Sequence, residues 1–337
     1  MNIYFSYNQL KHNPPREYFE GQLEPHPEIP ERAQKVLDFL MHDVRFKMVE
    51  PKEGDWSAYF LGVHDPMYMA ILKEVSESFT SPGVYFLRDA NEDSLQGKYT
   101  RDLMGISYDS ITPVGYGTWE SAYWSALTAL NAAAAVRRGN EKIVFGLTRP
   151  PGHHAGRNFL GGYCYLNNAA LAAEFLAQNG SVAILDFDYH HGNGTESIFY
   201  ERRKILYVSL HGAPPAVYPY FSGNTQATGK GRGKGYNINI PLTPKCGQHM
   251  YEKAFEKALH HIKDFSPRYL VVSAGFDIFT GDVEDSFELP LDYSGKMGRR
   301  ISSLKIPTVV LLEGGYNTKT LPELVYTFLM ELIRSTR

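Results

Sequence analysis

Apolar segments at residues 2–6, 142–147, 182–188, 205–211, 236–241, 269–274 and 308–312 punctuate the chain, and several carry Val, Ile or Leu at successive positions. A strand with one wet face alternates apolar and polar residues. Unbroken apolar runs predict strands buried on both faces, as in a parallel sheet. Helical patterns fall between them, at 30–41, 66–78, 118–138, 168–178, 248–263, 293–304 and 321–333, with 132–136 strongly helix-favouring. That alternation predicts an α/β fold with helices flanking a mostly parallel sheet. A length of 337 residues would suit two domains. No Ser/Gly-rich linker, repeat or low-complexity tract divides the chain, so a single domain over 1–337 is the reading.

Two stretches break the alternation. Residues 79–117 form a long segment of mixed charge, with Arg88, Asp89, Glu92, Asp93, Arg101 and Asp102. A connection that long in one domain is usually functional or disordered. Residues 213–235 are rich in Gly and Pro and end in GKGRGKG at 229–235. A phosphate-binding glycine loop follows a strand and opens a helix. This one precedes a strand, so a flexible loop is the simpler account.

Composition removes several function classes. Hydrophobic residues are 43% and charged residues 21%, which is globular rather than disordered. The formal net charge of -3 argues against a general nucleic-acid binder. No run approaches about 18 apolar residues, so no membrane span is expected. The first residues show no basic-then-apolar leader, which makes a cytoplasmic protein the default. Cys164 and Cys246 stand in unlike contexts and suggest no disulfide framework.

Chemistry concentrates where apolar runs end. VAILDFDYHHGNGT (182–195) carries Asp186, Asp188 and His190 at every second position, which on a continuing strand share one face. Carboxylate and imidazole together at a strand's carboxyl end are plausible metal ligands. A lone Asp there more often caps the next turn. RPPGHHAGRNFLGGYCYLNN (149–168) holds His153 and His154 in a Pro/Gly loop after another strand, and imidazole is the usual acid/base near neutral pH. A third apolar run leads to Asp277, a candidate third ligand. A fourth runs through two glycines, Gly314 and Gly315, to Tyr316, whose hydroxyl could donate to a developing oxyanion. Two carboxylates and one imidazole leave a coordination position open, as a catalytic metal requires. Zinc(II), iron(II) and cobalt(II) all suit such donors.

RPPGHHA, GGYCYLNNAA, LDFDYHHGNGT, VSLHG, SAGFD and EGGY together resemble the histone deacetylase family, in its class II and bacterial acetylpolyamine amidohydrolase branch. The match runs in order from about residue 3 to 330. It implies the arginase/deacetylase fold, one α/β domain on a parallel eight-stranded sheet. It implies zinc on Asp188, His190 and Asp277, tandem histidines at His153 and His154, and the catalytic tyrosine at Tyr316. Asp186 would orient His153, and Asn193 stands where the partner of His154 is expected. A neutral amide there supports imidazolium less than a carboxylate does.

The resemblance also implies two structural potassium sites. One would use Asp186, Asp188, His190, Ser209 and Leu210, and the other Phe199, Arg202, Ile205 and Tyr236. Tyr163 and Tyr218 match the aromatic walls of the substrate tunnel, Gly162 and Gly315 its backbone contacts, and Glu17 an acidic residue near the mouth. Arg32, in HPEIPER (26–32), would escort acetate from an inner cavity. The D-x-D-x-H order sets the chain apart from the two-manganese ureohydrolases of the same fold.

The implied reaction is metal-assisted amide hydrolysis, with His154 as general base, His153 acting electrostatically and Tyr316 as oxyanion donor. The implied substrate is a small cationic acetylated amine, an acetylpolyamine first and an acetyl-lysine protein second. Residues 79–117 match an inserted loop that closes the site and helps form a homodimer in the polyamine enzymes. The alternative class is a non-catalytic binder of acylated amines, which loss of a ligand or of Tyr316 would have signalled.

Overall fold

In the computed structural model, residues 1–19, 21–83, 85–86, 97–283 and 286–334 are described, with residues 86 and 97–100 described by their backbone alone. The sheet strands, in chain order, are β1 (Asn2–Tyr4), β2 (Lys47–Val49), β3 (Ile143–Gly146), β4 (Val182–Asp186), β5 (Ile205–Gly212), β6 (Asn237–Leu242), β7 (Tyr269–Ala274) and β8 (Thr308–Leu312). They form one eight-stranded sheet in the order β6-β5-β4-β7-β8-β3-β1-β2. Every pairing in it is parallel.

The unbroken apolar runs have the predicted cause. Successive residues of β4, β7 and β8 go to opposite cores. Ala183, Leu185, Leu270, Val272, Val310 and Leu312 pack against helices Glu31–Met41, Gln248–Phe265, Tyr293–Ser302 and Leu321–Arg334. Val182, Ile184, Val271, Val309 and Leu311 pack against helices Thr118–Arg137 and Asn168–Ala177. Burying such a side chain fully is worth about 1.5–3 kcal/mol before entropy. The small residues Ala129, Ala132, Ala133, Ala169, Ala170 and Ala173 are fully buried, which lets the last two helices lie close together and close to the sheet.

Three expectations need correction. Strand β2 went unpredicted because Lys47–Val49 has three residues, only partly buried, at the sheet edge. The 79–117 stretch is not a plain loop. It contains the helix Gly97–Ile106, and Tyr85–Phe86 pairs antiparallel with Val114–Gly115. Residues 84 and 87–96 of the expected insertion lie outside the described residues. Short helices also occur at Ser57–Val63 and Asn193–Phe199, too brief for a periodic signal. Among the described residues no helix is long and apolar enough to cross a membrane.

Candidate active site

Strand β4 stops at Asp186, two residues sooner than its apolar run suggests. Strand alternation therefore does not align Asp186, Asp188 and His190; a turn does. The amide of Phe187 still donates to Ser273 on β7, at 3.2 Å. Asp188 then donates its N–H to Asp186 Oδ1 at 3.2 Å, and His190 donates its own to Asp188 Oδ1 at 2.9 Å. The Asp186 side chain leaves the cluster, accepting from Tyr207 Oη at 2.9 Å and lying 3.2 Å from His153 Nδ1.

The neighbouring strand ends complete the group. Asp277, beyond β7, accepts from the Tyr189 amide at 3.0 Å. Gly314, beyond β8, donates its N–H to Asp188 Oδ2 at 2.8 Å. Donor atoms of Asp188, His190 and Asp277 all lie within 4.8 Å of one another. His190 Nδ1 stands 3.4 Å from Asp188 Oδ1 and 3.2 Å from Asp277 Oδ2. Glycine is required on two sides. A Cβ at Gly275 would meet Asp188 Oδ2 at 2.1 Å, and one at Gly314 would meet Asp277 Oδ2 at 2.4 Å.

The electrostatics call for a cation. Burial, then the charge of Asp188, raises the pKa of Asp277. Burial also works against ionised Asp188, but His153 and His190 outweigh it and hold its pKa down. Loss of solvent opposes charge on the part-buried His190 too, yet the two carboxylates push its pKa well up. A proton on imidazole is then the positive charge that two buried carboxylates demand. A divalent ion fits the same three donors, with neutral imidazole and an open position.

The tandem histidines differ sharply. Burial opposes charge on His153, but Asp188, Asp186 and Glu313 overcome it and bring its pKa up to about 10. His154 is held well below its ordinary value by burial and then by His153 and His190. Its Nδ1–H donates to Asn193 Oδ1 at 2.7 Å, which leaves Nε2 as the accepting nitrogen. The two rings lie 4.0 Å apart.

A tunnel leads to this group, lined by Tyr163, Tyr218, Tyr220, Val217, Ile111, Phe19, Gly162, His154, His190 and Tyr316. Gly162 and Tyr163 are both left-handed, at φ +51° and +64°. A non-glycine residue there is uncommon and marks a functional turn often enough to notice. A Cβ on Gly162 would also strike His154 Cδ2 at 2.2 Å. Thr112 Oγ1 accepts from the Tyr163 amide at 3.0 Å, fixing the peptide plane that carries the Gly162 carbonyl.

Asp109 went unnoticed in the sequence, where an isolated Asp in a long irregular stretch gives no signal. Its Oδ2 accepts from the Gly162 amide and from the Tyr218 hydroxyl, both at 2.6 Å. It thus holds both walls. Glu313, in EGGY, was visible but unassigned. It is fully buried, and burial pushes its pKa up to about 7.

The other predicted residues sit around this centre. Arg32 lies behind Tyr316, with its guanidinium carbon 4.5 Å from the ring centroid. It donates to the carbonyls of Gly315 at 2.6 Å and Glu313 at 2.7 Å, and shares Glu28 with Arg149. Gly315 thus turns its carbonyl to Arg32. Glu17 is buried on the hairpin Arg16–Phe19 with Gln22–Pro25, which reaches the tunnel through Phe19. Asp186 pairs in register with Ser209, beside Leu210. The amide of Arg202 donates to the Phe199 carbonyl, and the Tyr236 carbonyl accepts from Tyr207, near the start of β5 at Ile205. The Arg202 side chain itself turns outward to Glu174.

A parallel sheet whose strand ends converge on a group of residues able to hold a metal ion, tandem histidines and a tyrosine defines a class of metal-dependent hydrolase. Residues 26–332 match the histone deacetylase domain, and the chain belongs to the histone deacetylase family. Its members are hydrolytic, metal-dependent enzymes, and this chain is one of them. It is 38% identical to the acetylpolyamine amidohydrolase of Burkholderia pseudomallei over 331 residues, 95% of each chain. It is 32% identical to the histone deacetylase HDA1 of Saccharomyces cerevisiae, covering 89% of this chain and 43% of that protein. A crystal structure of acetylpolyamine aminohydrolase from Burkholderia pseudomallei superposes with a TM-score of 0.92 at 36% identity, covering 99% of both chains.

Proposed function

We propose that the protein removes acetyl groups from N-acetylated alkylamines, acetylpolyamines foremost, using zinc held by Asp188, His190 and Asp277. The observation that carries this is the convergence of that cluster, a neutral His154 and Tyr316 at the inner end of one aromatic tunnel. A divalent ion held by these three residues would supply a water acidified to a pKa of about 7 and a Lewis acid for an amide carbonyl.

The chain's own groups do the rest. Tyr163 and Tyr218 pass a slender methylene chain and keep out bulk water. The Gly162 carbonyl accepts from the substrate amide N–H. His154 Nε2 takes a proton from the attacking water, and the resulting imidazolium donates that proton to the leaving amine nitrogen. The Tyr316 hydroxyl donates to the oxyanion as it forms. His153, charged between carboxylates, contributes field rather than proton transfer.

A cationic distal amine suits a mouth whose Tyr218 wall is held by Asp109, a carboxylate that accepts from neutral donors on Ile111, Thr112, Gly162 and Tyr218. The second reading, a peptide acetyl-lysine deacetylase, draws support from the likeness to HDA1. Two further parts rest on resemblance: potassium at the two backbone sites of β4 and β5, and a homodimer built through residues 79–117. The deciding experiment compares kcat/KM for acetylputrescine and an acetyl-lysine peptide on protein reconstituted with zinc, iron(II) or cobalt(II). The polyamine should be preferred. A clear peptide preference reverses the order, and no hydrolysis of either under all three metals ends the proposal.

A further inference from the structure

Glu313 has no part in the chemistry above, yet it is a fully buried carboxylate between the segments that carry it. It follows directly on β8, so its backbone leads through Gly314 and Gly315 to Tyr316. Its side chain turns toward the histidine loop instead. Oε2 accepts from the backbone N–H of Gly152 at 2.6 Å and of His153 at 3.2 Å. Oε1 accepts from the Ser273 hydroxyl at 3.0 Å, and Ser273 lies on β7, the strand that leads to Asp277. One carboxylate thus ties together the segments bearing the base, a metal ligand and the phenol.

Donor atoms of His153, Cys164 and Glu313 also lie within 4.8 Å of each other. They do not make a second metal site. Cys164 Sγ is bonded to the Gly162 carbonyl, His153 Nδ1 faces Asp186, and Glu313 is occupied by its three donors. What the carboxylate does is fix two consecutive peptide planes. These set the direction in which the side chains of His153 and His154 leave the backbone. An apolar side chain at 313 would leave two buried amides without a partner.

We propose that Glu313 is a positioning residue that aligns the tandem histidines with the metal cluster and Tyr316, without itself touching substrate. The inference rests on the deacetylase reading. The test uses metal-loaded enzyme and the variants Glu313→Ala, Glu313→Gln and Glu313→Asp. It measures kcat, KM, metal content and amide hydrogen exchange at Gly152 and His153. In E313A, kcat should fall about 10²-fold, the cost of a misplacement near 1 Å. KM should stay within about threefold, since ground-state binding is untouched. Metal content should be normal, and exchange at both amides should speed up.

The amide oxygen of Gln can still accept from both N–H groups, so E313Q should recover to within about fivefold of wild type. Asp withdraws the acceptor by one methylene, so E313D should be slower than E313Q. The inference is overturned if E313A keeps its kcat, if E313Q is as slow as E313A, or if metal content falls in step with kcat. Should E313A fail to fold, the order of E313Q and E313D decides. Exchange separates the two layers of argument. A wild type that hydrolyses no acetylated amine sinks the functional reading, whereas unaltered exchange in E313A beside normal wild-type turnover sinks the positioning role alone.

Discussion

The floor and the mouth of the tunnel are built by different means. At the floor, Asp188 and Asp277 are fully buried and take backbone N–H donors from Gly314, His190 and Tyr189. Those donors lie in the turns just beyond β4 and β8, which flank β7 in one sheet, so their placement follows from where neighbouring strands end. At the mouth, Tyr218 comes from the loop after β5 and Tyr163 from a left-handed turn. Side chains join them, through Asp109 and Thr112. Errors at the floor should therefore cost chemistry and metal, and errors at the mouth should cost substrate binding.

The largest expected effect tests the floor. His190→Ala removes one of three ligands and should abolish metal retention and turnover together, read by metal analysis beside kinetics. Retained metal with retained activity would break the assignment. Next, Tyr316→Phe should lower kcat about 10²–10³-fold, the usual loss for one oxyanion donor, while metal and product-amine binding persist.

Stripping the metal leaves two buried carboxylates facing each other, and the sign of the pH effect follows. Burial and Asp188 raise the Asp277 pKa, and burial pushes Glu313 to about 7. Native protein then keeps protons that the unfolded chain has released above about pH 4. The share of stability contributed by these two groups should fall as pH rises from there toward the raised native values, against an opposite contribution below about pH 6.5 from the buried His12, His26, His64, His154 and His211, whose pKa values are lowered. Thermal melts of chelator-treated protein across pH 5 to 8 measure this. Asp277→Asn removes one contribution that falls with pH and should shift the slope in the positive direction, and an equal slope in that variant would remove Asp277 as a contributor.

The smallest effects test the mouth. Tyr218→Phe and Asp109→Asn should each raise KM about three- to tenfold with little change in kcat, the loss of one charge-assisted hydrogen bond. Because both act on one contact, the double variant should cost less than the product of the singles. A kcat effect instead would erase the distinction between floor and mouth.

Asn193 shows how little of a buried imidazole's basicity can be read from its one partner in the sequence. Beside a carboxylate in the same place, an amide partner is expected to leave His154 less basic. His154 is indeed depressed, but burial and the flanking His153 and His190 come first, while Asn193 acts the other way. The neighbours were invisible because they approach through space. Similarly, the D-x-D-x-H spacing suggested one strand face, whereas the strand ends at Asp186 and a hydrogen-bonded turn delivers the other two.

By itself the sequence determined the parallel sheet, the two-sided burial and the residue types at its strand ends. Those depend on local apolar runs and short motifs, which any stretch of chain carries within itself. Only the tertiary structure decided that Asp186 also takes the Tyr207 hydroxyl, that Asp109 joins both walls, and that Glu313 reaches the histidine loop. Each of these joins residues more than 20 positions apart, and only packing of the strands and loops brings them within hydrogen-bond distance.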